Sequence, residues 1–330
     1  MPKPVAEQVV VVVGASSGIG RASALQFARE GARVVVASRN ADALDGLVQE
    51  IASDGGEALA VPTDVAEPEQ VYALASRAEE HFGRIDTWVN DAAIAVWGRV
   101  EDISDAEFDR VMRVNFLGQV YGVHAALPAL RRAGGGVIIG VSSMEGIRAV
   151  PLHAPYTASK WALRGFYDAL RIELAESRDP IAVCTVLPAA IDTPFFEHAR
   201  SRVDSMPKPP PPTYAPELVA EAIVRAAVRP TREVPVGGAV AAAMVSQRLA
   251  PALTDAVLSL TRTGFASQKA SRRDNMVDNV DSPVQEHGSV RGTYEGTVLR
   301  SSAFTALLGH RKRPGELVGE LVQQVRRRAS

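Results

Sequence analysis

Five consecutive valines, Val9–Val13, run straight into Gly14-Ala-Ser-Ser-Gly-Ile-Gly20, and this junction constrains the fold more than any other stretch of the chain. An unbroken β-branched run suits a strand covered on both faces, whereas an exposed sheet would alternate apolar with polar residues. The residues after it, RASALQFAREGA, carry helical periodicity, so the glycines fall at a strand-to-helix turn. Glycine permits a tight turn and lets the backbone approach a ligand, while the free amides of a helix N-terminus favour an anion. Gly14, Ser16, Ser17, Gly18, Ile19 and Gly20 are therefore candidates for a pyrophosphate cradle. Taken alone, the loop is also compatible with the turn of a ligand-free strand–helix unit.

The same alternation continues. Apolar runs at 33–37, 58–61, 87–89, 137–141 and 181–187 are separated by helical patterns, and 232–238 offers a last strand closed by two glycines. Right-handed crossovers between such strands give an α/β protein with a doubly wound parallel sheet in a three-layer sandwich. Dinucleotide sites that prefer NAD(H) carry an acid near the end of the second strand, whereas an arginine accommodates a 2′-phosphate. This chain has Ser38 and Arg39 there, with Asp42 already in the next helix, which favours NADP(H) over NAD(H).

Tyr156 and Lys160 are four apart in a helix-compatible segment and so share a face. Ser143 lies thirteen positions earlier, at the carboxyl end of a predicted strand, where ligands bind in open α/β sheets. A phenol is a poor base at neutral pH unless a nearby ammonium favours the phenolate. Tyr156 is thus expected to exchange a proton with a substrate oxygen while Ser143 donates to that oxygen and Lys160 also holds a ribose. With six tyrosines a Tyr-x-x-x-Lys pair is unremarkable alone; its order after the glycine loop and Ser143 gives it weight.

With GASSGIG, SSMEG and YTASK in this order, residues 7–238 resemble the short-chain dehydrogenase/reductase family. The resemblance implies a Rossmann-like fold, hydride transfer between NADP(H) and a carbonyl or secondary alcohol, and a homo-oligomer. Ser143, Tyr156 and Lys160 would form the catalytic core, with Asn115 of RVNFLG as a fourth member that kinks its helix. Asp64 and Val65 would bracket the adenine, Asn90 would lie along the cofactor, and Pro188, Ile191 and Thr193 would surround the nicotinamide carboxamide. Three departures stand out: Val13 replaces Thr, Asp91-Ala92-Ala93 replaces Asn-Ala-Gly, and Ala189 replaces Gly. Alanine tolerates positive φ poorly, so Ala93 and Ala189 predict altered backbone or strain.

Met144, Glu145, His153, Trp97, Phe195 and Phe196 flank these positions and suit an apolar substrate; His153, alone in a loop, reads as a packing or surface residue. The net charge of −2 gives no case for nucleic acid, and the single cysteine, Cys184, excludes internal disulfides and thiolate zinc sites; no metal is expected. No apolar leader core or 18-residue apolar run is present, which predicts a cytoplasmic protein. Beyond residue 238 an extension is expected, helical over 239–265 and broken by Pro251, then a loosely ordered basic tail over 266–330. The helical part would pack on protein or lie on a membrane surface. A competing reading makes the chain a dinucleotide-binding module with weak catalysis, whose extension engages a partner protein or membrane.

Overall fold

The valines of the opening strand divide between two cores. In a computed structural model that describes residues 2–260, 263–274 and 276–309, Val10 and Val12 face one hydrophobic cluster, while Val9, Val11 and Val13 face another. That two-sided burial is the physical reason for an unbroken apolar run. The sheet contains β1 (Val9–Val13), β2 (Arg33–Ser38), β3 (Glu57–Pro62), β4 (Thr87–Asn90), β5 (Gly136–Val141), β6 (Ile181–Pro188) and β7 (Glu233–Val236). All seven strands are parallel, in the order β3-β2-β1-β4-β5-β6-β7. The order reverses direction at β1 and β4, so the strand ends there open a crevice.

Helices α1 (Gly18–Arg29), α2 (Ala41–Ser53) and α3 (Pro68–Phe82) follow the first three strands, and α4 (Asp105–Met112) and α5 (Gly118–Arg132) follow β4. Next come α6 (Ala154–Glu176) before β6 and α7 (Pro216–Val228) before β7. Helices α1, α2 and α7 cover one face with Phe27, Leu44 and Val219; α3, α5 and α6 cover the other with Leu74, Ala126 and Leu163. Local chemistry fixes the helix starts. The Asn40 side chain accepts the Ala43 N–H at the head of α2, and Ser104 and Glu107 cap α4 reciprocally.

Two further helices, α8 (Gly238–Leu249) and α9 (Pro251–Leu260), continue directly from β7, with Pro251 starting the second one as the sequence suggests. Leu249, Leu253 and Leu260 are exposed on this hairpin. No helix among the described residues is long and apolar enough to cross a membrane. The polar segment beyond them departs from the loose association expected of it. Residues 276–299 return across the carboxyl end of the sheet, where Val298–Leu299 pairs in parallel with Thr213–Tyr214. The Thr305 hydroxyl then accepts the Gly237 N–H at 2.9 Å. Hydrogen bonds and ion pairs, rather than apolar periodicity, hold this return, which is why its composition resembles that of a tail. The basic clusters at 311–328 lie outside the described residues.

Candidate active site

The glycine loop is shaped by contacts that leave no room for side chains. Gly14 has φ +95°, and a Cβ there would sit 2.6 Å from Ala92 N; one on Gly20 would meet Gly14 O at 2.2 Å. The loop is pinned to β2, because Gly14 N and Ala15 N both donate to Ala37 O, at 2.8 and 3.1 Å. A long cavity runs from this loop toward the carboxyl ends of β5 and β6. Gly14, Ser16, Ser17, Gly18 and Ile19 line it beside Ser38, Arg39, Asp64 and Val65. Ser143, Tyr156, Lys160, Pro188, Ile191 and Thr193 line the other half.

Three expected site residues stand behind the wall. Gly20 donates its N–H to the Asp91 carboxylate. Asn90 is committed to the core, accepting the Trp88 indole N–H at 2.8 Å and donating toward Gln119 O and Tyr167 Oη. Asn115 sits in a π-turn, Arg113–Leu117, ahead of α5. Its side chain accepts Ile94 N at 2.8 Å and donates to Ile94 O and the Ser159 hydroxyl, so it ties the loop after β4 to α6. The widened turn agrees with the kink that the resemblance implies.

On the first turn of α6, Tyr156 is hydrogen-bonded to Ser143 and Lys160 lies 5.3 Å from its ring centre. The phenol pKa is nonetheless raised, first by burial and then by the Glu145 charge, instead of lowered by the ammonium as expected. Lys160 donates to Val141 O at 2.9 Å, and burial lowers its own pKa, opposed by Asp91 and Glu145. Desolvation and the Glu145 charge therefore outweigh the Ser143 hydrogen bond, and the phenol stays protonated at neutral pH. Asp91 lies deep in the molecule with part of its surface open to the cavity, and burial raises its pKa against the pull of Lys160.

Of the two outcomes expected at Ala93 and Ala189, altered backbone or strain, the strain does not arise. Positive φ among non-glycine described residues occurs at Leu152, Arg178 and Met276 only. Val13, buried in β1, accepts Asp91 N and Ala92 N at its carbonyl, contacts indifferent to its side chain.

The cavity has one wall that sequence reasoning missed. Arg39 donates to Asn279 O and, at longer range, to Val280 O and Asp281 O. Asn40 donates to Val284 O and Glu286 O at 2.8 and 3.0 Å, and Gly18 N donates to Ser289 O at 2.8 Å. Asn279, Pro283, Val284, Glu286 and Gly288 consequently line the cavity beside Arg39. The strap is anchored outside by Arg200, which pairs with Asp278 and Asp281, and by Arg110, which bridges Val280 O and Asp64. One residue signalled it: Gly288, at φ +76°, where a Cβ would meet Ser16 O at 2.2 Å. A glycine in a polar tail is too common a feature to be read as a close backbone approach.

Comparison with known proteins agrees with this geometry. The family model described as short chain dehydrogenase matches residues 8–204. An uncharacterized oxidoreductase of Bacillus subtilis, YxnA, is 37% identical over 308 residues, covering 92% of this chain and 85% of that protein. An alcohol dehydrogenase from Thermococcus sibiricus, solved with 5-hydroxy-NADP, superposes with a TM-score of 0.61 at 28% identity, covering 69% of this chain and 95% of that one. A short chain dehydrogenase/reductase of Burkholderia phymatum, solved with NAD, gives a TM-score of 0.67 at 25% identity, covering 77% and 95%.

Proposed function

This chain belongs to the short chain dehydrogenase family, and from that premise we propose that it transfers a hydride between NADP(H) and a carbonyl or secondary alcohol, with Tyr156 as general acid/base. The observation that carries the reading is a single cavity lined at one end by Arg39 and the glycine loop and at the other by Ser143, Tyr156 and Lys160. A glycine loop with no room for a Cβ at Gly14 or Gly20, at the N-terminus of α1, fits the pyrophosphate of a dinucleotide. The bound cofactor supplies or receives the hydride.

The chain's own residues do the rest. Ser143 and Tyr156 donate hydrogen bonds to the substrate oxygen, and Tyr156 passes its proton there as negative charge develops. Lys160, buried beside the phenol, offsets the charge left on Tyr156. Phe195 and Phe196 turn apolar rings toward the cavity, which suits an apolar substrate. Arg39, held by strap carbonyls and with more N–H donors than those bonds use, is the group that would receive a 2′-phosphate.

We expect purified protein to bind NADPH more tightly than NADH in a fluorescence titration. The Arg39→Ala variant should weaken NADPH binding by roughly 10- to 100-fold, the scale of one charge-assisted hydrogen bond, with little effect on NADH. Equal affinities for the two cofactors in the parent would overturn the NADP(H) assignment. The same reading makes the protein a cytoplasmic homo-oligomer, in which self-association would cover Trp161 and Ile172, exposed on α6.

A further inference from the structure

Beside Tyr156 lies a buried polar chain that the hydride-transfer chemistry does not use. His153, immediately before α6, is 3% exposed. Its Nδ1 is 2.6 Å from Glu145 Oε1, and the Thr157 hydroxyl donates to Glu145 Oε2 at 2.7 Å. Glu145 N in turn donates to Ser143 Oγ at 3.0 Å, so the chain is continuous with the expected oxygen-binding group. His153 Nε2 has no hydrogen-bond partner among the described residues, although His153 lines the cavity with Tyr156, Phe195 and Phe196.

A neutral imidazole has one donor and one acceptor nitrogen. A carboxylate only accepts, and both Glu145 oxygens are engaged, so the proton of the neutral imidazole resides on Nδ1. Nε2 is then a lone-pair acceptor. The ring is packed edge-on against Trp97 at 83° and Tyr156 at 81°. A buried acceptor without a partner is unfavourable, and a ligand that donates to it relieves that cost. The His153 and Tyr156 ring centres are 6.0 Å apart, so a substrate held at Tyr156 lies beside the imidazole.

We propose that His153 Nε2 is a substrate-recognition group that accepts a hydrogen bond from a second, hydroxyl-bearing position of the substrate, making the substrate class a hydroxylated cyclic or aryl ketone, or the corresponding diol. The proposal rests on the activity proposed above for the same cavity. Phe195, 5.3 Å from the Tyr156 ring, and Phe196, packed on Trp97, supply the apolar walls for the ring. Glu145 and Thr157 are positioning residues that fix the imidazole tautomer.

The test compares acetophenone with its 3′-hydroxy and 3′-methoxy derivatives, which differ in whether they can donate. Binding is measured by calorimetry on NADPH-loaded Tyr156→Phe protein, where no turnover interferes, and kcat/KM on the parent enzyme. At least about tenfold tighter binding of the hydroxy over the methoxy compound is expected, because a site built to receive a donor rejects analogues lacking it. That preference should fall to within about twofold when His153→Phe is added. Should that variant fail to fold with Glu145 left unpaired, the paired substitution Glu145→Gln with His153→Phe removes the stranded carboxylate and reads the same preference. Equal binding of the two compounds, or a preference that survives loss of the imidazole, overturns the proposal. A binding preference that depends on His153, in a parent that turns over none of the ketones, supports the recognition site and overturns the activity reading instead.

Discussion

Replacing Tyr156 with Phe is expected to lower turnover by about 10²- to 10⁴-fold, the contribution of a positioned proton donor, while NADPH affinity stays within about threefold of the parent. The substitution removes one hydroxyl from a ring packed against His153 and Phe195, so the wall of the cavity persists. The charge state of the phenol also sets a direction. Burial and Glu145 raise its pKa, so it is protonated across the neutral range and ready to donate. Carbonyl reduction should therefore proceed at neutral pH without a rise toward alkaline pH. Alcohol oxidation, which needs the phenolate, should quicken as pH increases. Initial-rate profiles in both directions check this, and an oxidation rate that falls with rising pH would contradict the assignment of Tyr156 as the proton-transfer group.

Asp91 carries the second large effect. It stands where the family usually has asparagine, and burial pushes its carboxyl up to about 7. A carboxyl raised above its unfolded value of about 4 leaves the folded chain holding more protons than the unfolded one between those pH values. Stability of the cofactor-free protein therefore falls as pH rises through that window, in which Lys160 stays protonated in both states. Asp91→Asn keeps an oxygen to accept the Gly20 N–H and removes the titration. Its stability should depend less steeply on pH, by up to about 1.4 kcal/mol per pH unit, the value of one proton. Urea denaturation of parent and variant at a series of pH values from 4.5 to 7 measures the two slopes. Parallel slopes would show that Asp91 keeps an ordinary pKa.

Much of this was legible because it is local or periodic. The valine run, the helix-compatible spacing of Tyr156 and Lys160, and the Asn40 cap are each written within a few residues, and the strand ends fell within a residue or so of those read from the apolar runs. Ser143 could be placed near the tyrosine because a parallel sheet puts every carboxyl-terminal strand end on one side. Of the two outcomes expected at Ala93 and Ala189, altered backbone or strain, only the strain is absent, because neither alanine has a positive φ here.

What escaped the sequence is the work of long-range backbone contacts and of dielectric. The carbonyls of Asn279, Val280 and Asp281 reach Arg39 from some 240 positions away. Any residue supplies a carbonyl, so no side-chain pattern in that polar tail announces the contact. In the same way, the Tyr-x-x-x-Lys spacing puts an ammonium near a phenol, but only the packed surroundings decide whether desolvation or the ammonium governs the proton. The sequence by itself determined the doubly wound sheet, its glycine loop and the helical spacing of Tyr156 and Lys160, since apolar period and turn chemistry are properties of neighbours along the chain. The tertiary structure alone decided that the tail walls the cavity, that the tyrosine stays protonated and that His153 turns an unpartnered nitrogen to its buried surroundings, since those depend on which groups are brought together and how much water is left between them.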